Sequence, residues 1–146
     1  MPLSDRFHVA WIIDKDEAKA AVLAGKSETK VATEIDMALS DPAVDLVDIC
    51  LPPHMHTSVT CDALEHSKHV ICEKPLATSL QEVAEISAAA SRQRKTVFPV
   101  FQYRWGAAFR KLHSLIDNGL AGKPIIASAE THWARGPDYY AVPWRG

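Results

Sequence analysis

Short apolar runs rich in Val and Ile recur along this chain at 7–13, 46–51, 69–72 and 97–101. Each is followed by a helical pattern, at 16–23, 56–65, 79–92 and 107–118. This alternation leaves few folds open. A continuous apolar run of strand length has both faces buried, and a helix between two such runs supplies the crossover that parallel strands require. The rhythm therefore predicts an α/β fold built on a parallel sheet. Helix signals agree with it. Ser79 with Glu82, or Thr78 with Gln81, makes a capping box, and the stripe Phe109, Leu112, Leu115 and Ile116 stops at Gly119, a residue suited to the position just past a helix end. The 125–133 stretch reads as a further strand, and the aromatic sequence ARGPDYYAVPWRG after it has no regular period.

In open parallel sheets, ligands sit beyond the carboxyl ends of the strands, so the residues just after each run are the place to look for function. Those tips carry Asp14, then Leu51-Pro52-Pro53-His54-Met55-His56, then Glu73-Lys74-Pro75, then Gln102-Tyr103-Arg104-Trp105. An ammonium at such a tip is suited to stabilising an alkoxide that develops as a secondary alcohol is oxidised. Lys74 supplies that charge, and the ring of Pro75 fixes the turn that presents it. Glu73 is placed either to hold the ammonium or to accept a hydroxyl hydrogen bond. The plain alternative is a solvated Glu-Lys pair ahead of a helix. Asp14 follows the 7–13 run, and at the end of the second strand of a dinucleotide-binding sheet an acid accepts hydrogen bonds from the adenosine ribose hydroxyls, which favours NAD over NADP. It also reads as an ordinary acidic start to the helix near Asp16, and Lys15 beside it leaves NADP open.

Composition narrows the partners. With 16 Lys and Arg against 18 Asp and Glu, the net charge of -2 creates no field that would recruit nucleic acid or an anionic membrane. No apolar stretch is long enough to span a bilayer, and residues 1–6 lack a signal-peptide pattern, so a cytoplasmic protein with small-molecule or protein partners is the expectation. Cys50, Cys61 and Cys72 suggest no disulfide framework. With His54 and His56 nearby a metal site is a minor alternative, because the spacing is not that of a zinc motif.

Four segments in order, VDICLPPHMH, KHVICEKPLA, FQYRWGAAFRKLHSLIDNGLAGKP and VPWRG, resemble the Gfo/Idh/MocA family of glucose-fructose oxidoreductase and inositol dehydrogenase relatives. The resemblance implies a Rossmann domain binding NAD or NADP, over residues 1–103, and the beginning of a C-terminal α/β domain for substrate and oligomerisation, over 104–146. It implies hydride transfer between the cofactor and a sugar, polyol or similar secondary alcohol, in an enzyme that is a homo-oligomer at full length. Lys74 is then the active-site lysine, with a Lys74-Pro75 bond of cis type. Leu51, Pro52, Pro53, His56, Glu73, Gln102 and Arg104 join Asp14 and Lys74 in lining the cofactor, and Trp144 and Arg145 join Lys74 near the substrate. Gln102 departs from the Asn usual in the family, whereas Arg104 matches.

The phosphate-cradling pattern G-x-G-x-x-G does not occur in the sequence. Nor does the Gly-Gly-x-x-x-Asp-x-x-x-His region of the family's second domain. The expectation is thus a Rossmann-type parallel sheet lacking its first strand, with open edges where that strand would lie, in a chain that alone binds NAD weakly and turns over no sugar. A non-catalytic module that uses its surface for subunit contacts is the alternative.

Overall fold

The computed structural model describes residues 6–143 and 145. Strand β1 (Trp11–Ile13), helix α1 (Glu17–Ala24) and strand β2 (Lys30–Ala32) form one parallel β-α-β unit. Helix α2 (Asp36–Leu39) leads into a second, made of β3 (Leu46–Ile49), α3 (His56–Glu65), β4 (His69–Cys72), α4 (Leu80–Gln93) and β5 (Val97–Pro99). Its three strands lie in the order β3-β4-β5, all parallel. Helices α5 (Ala107–Asp117) and α6 (Pro137–Tyr140) follow. The architecture is the α/β, Rossmann-like one expected. Among the described residues, β1 and β3 each keep one edge without a strand partner, so the parallel strands form two sheets.

Two local readings differ from the structure. β2 and α2 have no counterpart in the run-and-helix pattern, because three and four residues are too few to display a period. The strand expected at 125–133 does not form. Ile125 and Ile126 are 90% and 88% exposed there, and a β-prone segment without a neighbouring edge has nowhere to place its backbone hydrogen bonds.

The core lies on one face of β3-β4-β5. Helices α3 and α4 cover it, and Leu39, Ile49, Ala63, Leu64, Val70, Cys72 and Ala89 interlock beneath them. Helix α4 is placed by the Ser79–Glu82 capping box, in which Glu82 Oε2 also accepts from the Thr78 amide and hydroxyl, each at 2.7 Å. The opposite face is an open apolar hollow lined by Phe7, Leu46, Ile71, Phe98, Phe101 and Trp105.

Asp41 ties the two sheets together. Its Oδ2 accepts from the Trp11 indole of β1 at 2.8 Å and from the Lys30 ammonium of β2 at 3.0 Å. Its carbonyl accepts from Lys68 Nζ, just before β4, at 2.8 Å. The Trp11 bond, then the Ala43 amide and Lys30, hold the carboxyl well below the usual range. A carboxylate whose value is depressed on folding contributes stability that is present above its ordinary value of 3.8 and is lost as pH falls through the folded value. Asp41→Asn is therefore expected to lower the urea midpoint at neutral pH, with the gap from the parent closing as the solution is acidified. A gap that stays constant with pH would mean that the ionised carboxylate is not the source of the effect.

Candidate functional site

The turn after β3 is built by its prolines. Pro53 opens a 3-10 turn (Pro53–Met55), its fixed φ suiting the first position, and the Met55 amide donates to Pro52 O at 2.9 Å. This turn rolls His56 inward as the first residue of α3, so that its ring is only 1% exposed. There Nδ1 lies 2.7 Å from the Pro75 carbonyl oxygen and Nε2 lies 2.7 Å from the Leu51 carbonyl oxygen. The turns following β3 and β4 are thus joined through one imidazole, and Leu51 to Pro53 and Glu73 to Pro75 form a single rim.

On that rim Lys74 is exposed and precedes a cis peptide bond to Pro75. The Glu73 carboxylate accepts from the Lys74 backbone amide at 3.1 Å, while the Glu73 amide donates to Ile49 O at 3.0 Å. Glu73 therefore fixes the backbone of the turn, and among the described residues the two side chains form no ion pair. Below it, burial and then the Glu73 charge push the Asp48 carboxyl up. Burial followed by the Asp48 and Glu73 charges pushes the Cys50 thiol up, which holds it in the unreactive protonated form.

Among the described residues, Asp14, Gln102 and Arg104 form no hydrogen bond with this rim. Asp14 stands at the carboxyl end of β1; its Oδ1 accepts from the Asp16 amide at 2.8 Å, and Asp16, not Asp14, caps α1. Among the described residues Oδ2 of Asp14 receives no hydrogen bond, so an acceptor is open to a ligand. Gln102 and Arg104 sit in the 3-10 turn after β5 (Gln102–Trp105), and both are exposed. Arg104 lines an open hollow with Arg110, His113 and Asp117 of α5, and Gln102 borders the apolar hollow instead. The Arg145 guanidinium lies 4.7 Å from the Tyr139 ring centre. Trp144 lies outside the described residues. Among those described, no cluster of three or more His, Cys, Asp or Glu is able to hold a metal ion, and no helix is long and apolar enough to cross a membrane.

The open acceptor on Asp14 is of the kind that takes a hydrogen bond from a ribose hydroxyl, and the exposed ammonium on Lys74 is of the kind that stabilises an oxygen gaining negative charge. The parallel β-α-β arrangement is a Rossmann-type fold. The chain belongs to the Gfo/Idh/MocA oxidoreductases: residues 2–101 match that family's model, described as an oxidoreductase family with an NAD-binding Rossmann fold. It is 32% identical to 1,5-anhydro-D-fructose reductase of Ensifer adhaerens, over 82% of this chain and 36% of that protein. It is 33% identical to myo-inositol 2-dehydrogenase of Thermotoga maritima, over 60% of this chain and 26% of that protein. The crystal structure of an NAD-binding oxidoreductase from Klebsiella pneumoniae superposes with a TM-score of 0.73 at 33% identity, over 81% of this chain and 32% of that one. The chain thus spans well under half the length of these relatives.

Proposed function

We propose that this chain carries the nicotinamide-side portion of an NAD-dependent oxidoreductase that acts on a sugar, polyol or similar secondary alcohol. The observation that carries the reading is the joined rim after β3 and β4, which presents Lys74 in the open while its backbone is held from two sides. When bound, the nicotinamide supplies or accepts the hydride. Lys74 holds a positive charge beside the substrate oxygen and stabilises the alkoxide that develops there. Leu51, Pro52 and Pro53 shape the neighbouring wall, Glu73 locks the turn, and Asp14 accepts from the adenosine ribose. The carboxylate at that place favours NAD, since a 2'-phosphate would meet a like charge, and Lys15 leaves room for NADP as the secondary cofactor.

Residues 1–103 form the cofactor-binding portion in this reading, with Gln102 and Arg104 at its exit. Residues 104–146 begin a substrate-side domain in which Trp144 and Arg145 approach the substrate. The exposed stripe of Phe109, Leu112 and Ile116 on α5 supports burial against further protein, either that domain or a second subunit of a homo-oligomer.

Titration with NAD tests the reading. Asp14→Ala is expected to weaken binding roughly 10- to 100-fold, the loss of one charge-assisted hydrogen bond of about 1.5–3 kcal/mol. Equal affinity in parent and variant, measured by calorimetry or nicotinamide fluorescence, would remove Asp14 from the site. Absence of any NAD binding, in this chain and in a longer version that includes a glycine-rich loop, would favour the interaction-module alternative.

A further inference from the structure

The rim's geometry raises a question that its functional reading leaves open: what keeps the Lys74 turn in register with the Leu51–Pro53 turn? The backbone does so only at the base, where the Glu73 amide donates to Ile49 O at 3.0 Å, because beyond it Pro52, Pro53 and Pro75 have no N–H to donate across the gap. His56 spans it instead, with Nδ1 2.7 Å from Pro75 O and Nε2 2.7 Å from Leu51 O. We propose that His56 is a positioning residue for hydride transfer, holding the Lys74 turn against the Leu51–Pro53 turn by donating from both ring nitrogens at once.

This inference rests on the functional reading given above for Lys74. The two-sided donation follows from the partners. Carbonyl oxygens only accept, so each 2.7 Å contact needs its own N–H, and a neutral imidazole has just one. A ring with one proton would set a nitrogen lone pair against a carbonyl lone pair in a place that is 1% exposed, where no water relieves the conflict. The Pro75 carbonyl belongs to the residue directly after Lys74, so a movement of the clamp is passed to the lysine through a single residue. The reaction is sensitive to such movement, since a misplacement of about 1 Å from a change away from the chemistry costs roughly 100-fold in rate.

The experiment uses the 146-residue chain labelled uniformly with ¹³C and ¹⁵N. The His56 ring is expected to show protons on both nitrogens, with coupling across the hydrogen bonds to the carbonyl carbons of Leu51 and Pro75. A ring with a proton on one nitrogen only overturns the proposal. In His56→Gly, amide exchange at Met55, Glu73 and Lys74 is expected to rise about tenfold or more. Added imidazole should restore both this protection and the Lys74 side-chain resonances, whereas 1-methylimidazole, which lacks one of the two N–H groups, should restore neither. Exchange within about twofold of the parent, or equal rescue by the two compounds, also overturns it. Should His56→Gly fail to fold, the ring spectrum of the parent decides alone. None of these measurements involves a cofactor, so a doubly protonated ring together with no NAD binding, in this chain and in a longer version that includes a glycine-rich loop, refutes the functional reading and not the clamp, and the reverse result separates them the other way.

Discussion

Lys74→Ala, introduced into a version of the protein that includes a glycine-rich loop and a second domain, is expected to lower kcat about 100-fold or more, with a much smaller change in KM. The asymmetry follows from where the charge acts. In the proposed reaction the substrate's hydroxyl is neutral beforehand, and its oxygen becomes anionic only as hydride leaves the adjoining carbon. An ammonium beside that oxygen therefore interacts far more strongly with the transition state than with the bound substrate. Among the described residues this ammonium forms no ion pair, because Glu73 spends its carboxylate on the Lys74 backbone amide at 3.1 Å. Lys74→Arg keeps the charge but replaces a compact ammonium by a planar fork, so only partial activity is expected. Steady-state kinetics on a panel of sugars and polyols makes the comparison. An alanine variant with the parent's kcat would reduce Lys74 to a surface residue.

Leu64→Ala is expected to cost about 2–5 kcal/mol of folding stability, measured by urea denaturation at neutral pH. Leu64 is 0% exposed and sits where α3 meets β4, within the cluster that includes Ile49, Val70 and Ala89. Its removal leaves a cavity between a helix and a sheet, two rigid bodies that cannot easily close on it. The effect is large against the whole, since domains are stable by only about 5–15 kcal/mol. Here one face of β3-β4-β5 lies open, with Phe98 51% exposed, so the core beneath α3 and α4 has little support from the other side. A loss under about 1 kcal/mol would mean that the cluster around Leu64 repacks freely rather than forming a tightly fitted core.

The rim and the core were legible to different degrees for physical reasons. Strands β3, β4 and β5 stand out because each is a dense apolar run followed after a short turn by a helical pattern, and α4 also carries a recognisable start signal in the Ser79–Glu82 box. Strand β2, with the sequence Lys30-Val31-Ala32, does not stand out, because three residues carry no pattern. The 125–133 stretch has strand composition and no strand, because composition reports a preference while pairing requires an edge to pair with. The same distinction applies to the site. Asp14 and Lys74 are readable as chemistry at strand tips. The use made of Glu73 is not, because a carboxylate beside an ammonium in sequence gives no sign that it will turn to the backbone instead.

By itself the sequence determined the alternation of strand and helix, the parallel arrangement that follows from it, and the placing of Asp14, Leu51, Glu73 and Lys74 just beyond strand ends. These are local properties, set by periodicity, capping and turn residues that lie within a few positions of one another. Only the tertiary structure decided that His56 faces inward to join two turns, and that Asp41 gathers Trp11, Lys30 and Lys68 between the sheets. Apart from the His56 contact to Leu51, those contacts link residues 11 to 30 positions apart in the chain, and their partners are backbone carbonyls or single side chains with no spacing rule. They come into being only when the packing of helices on strands has brought them within hydrogen-bonding distance.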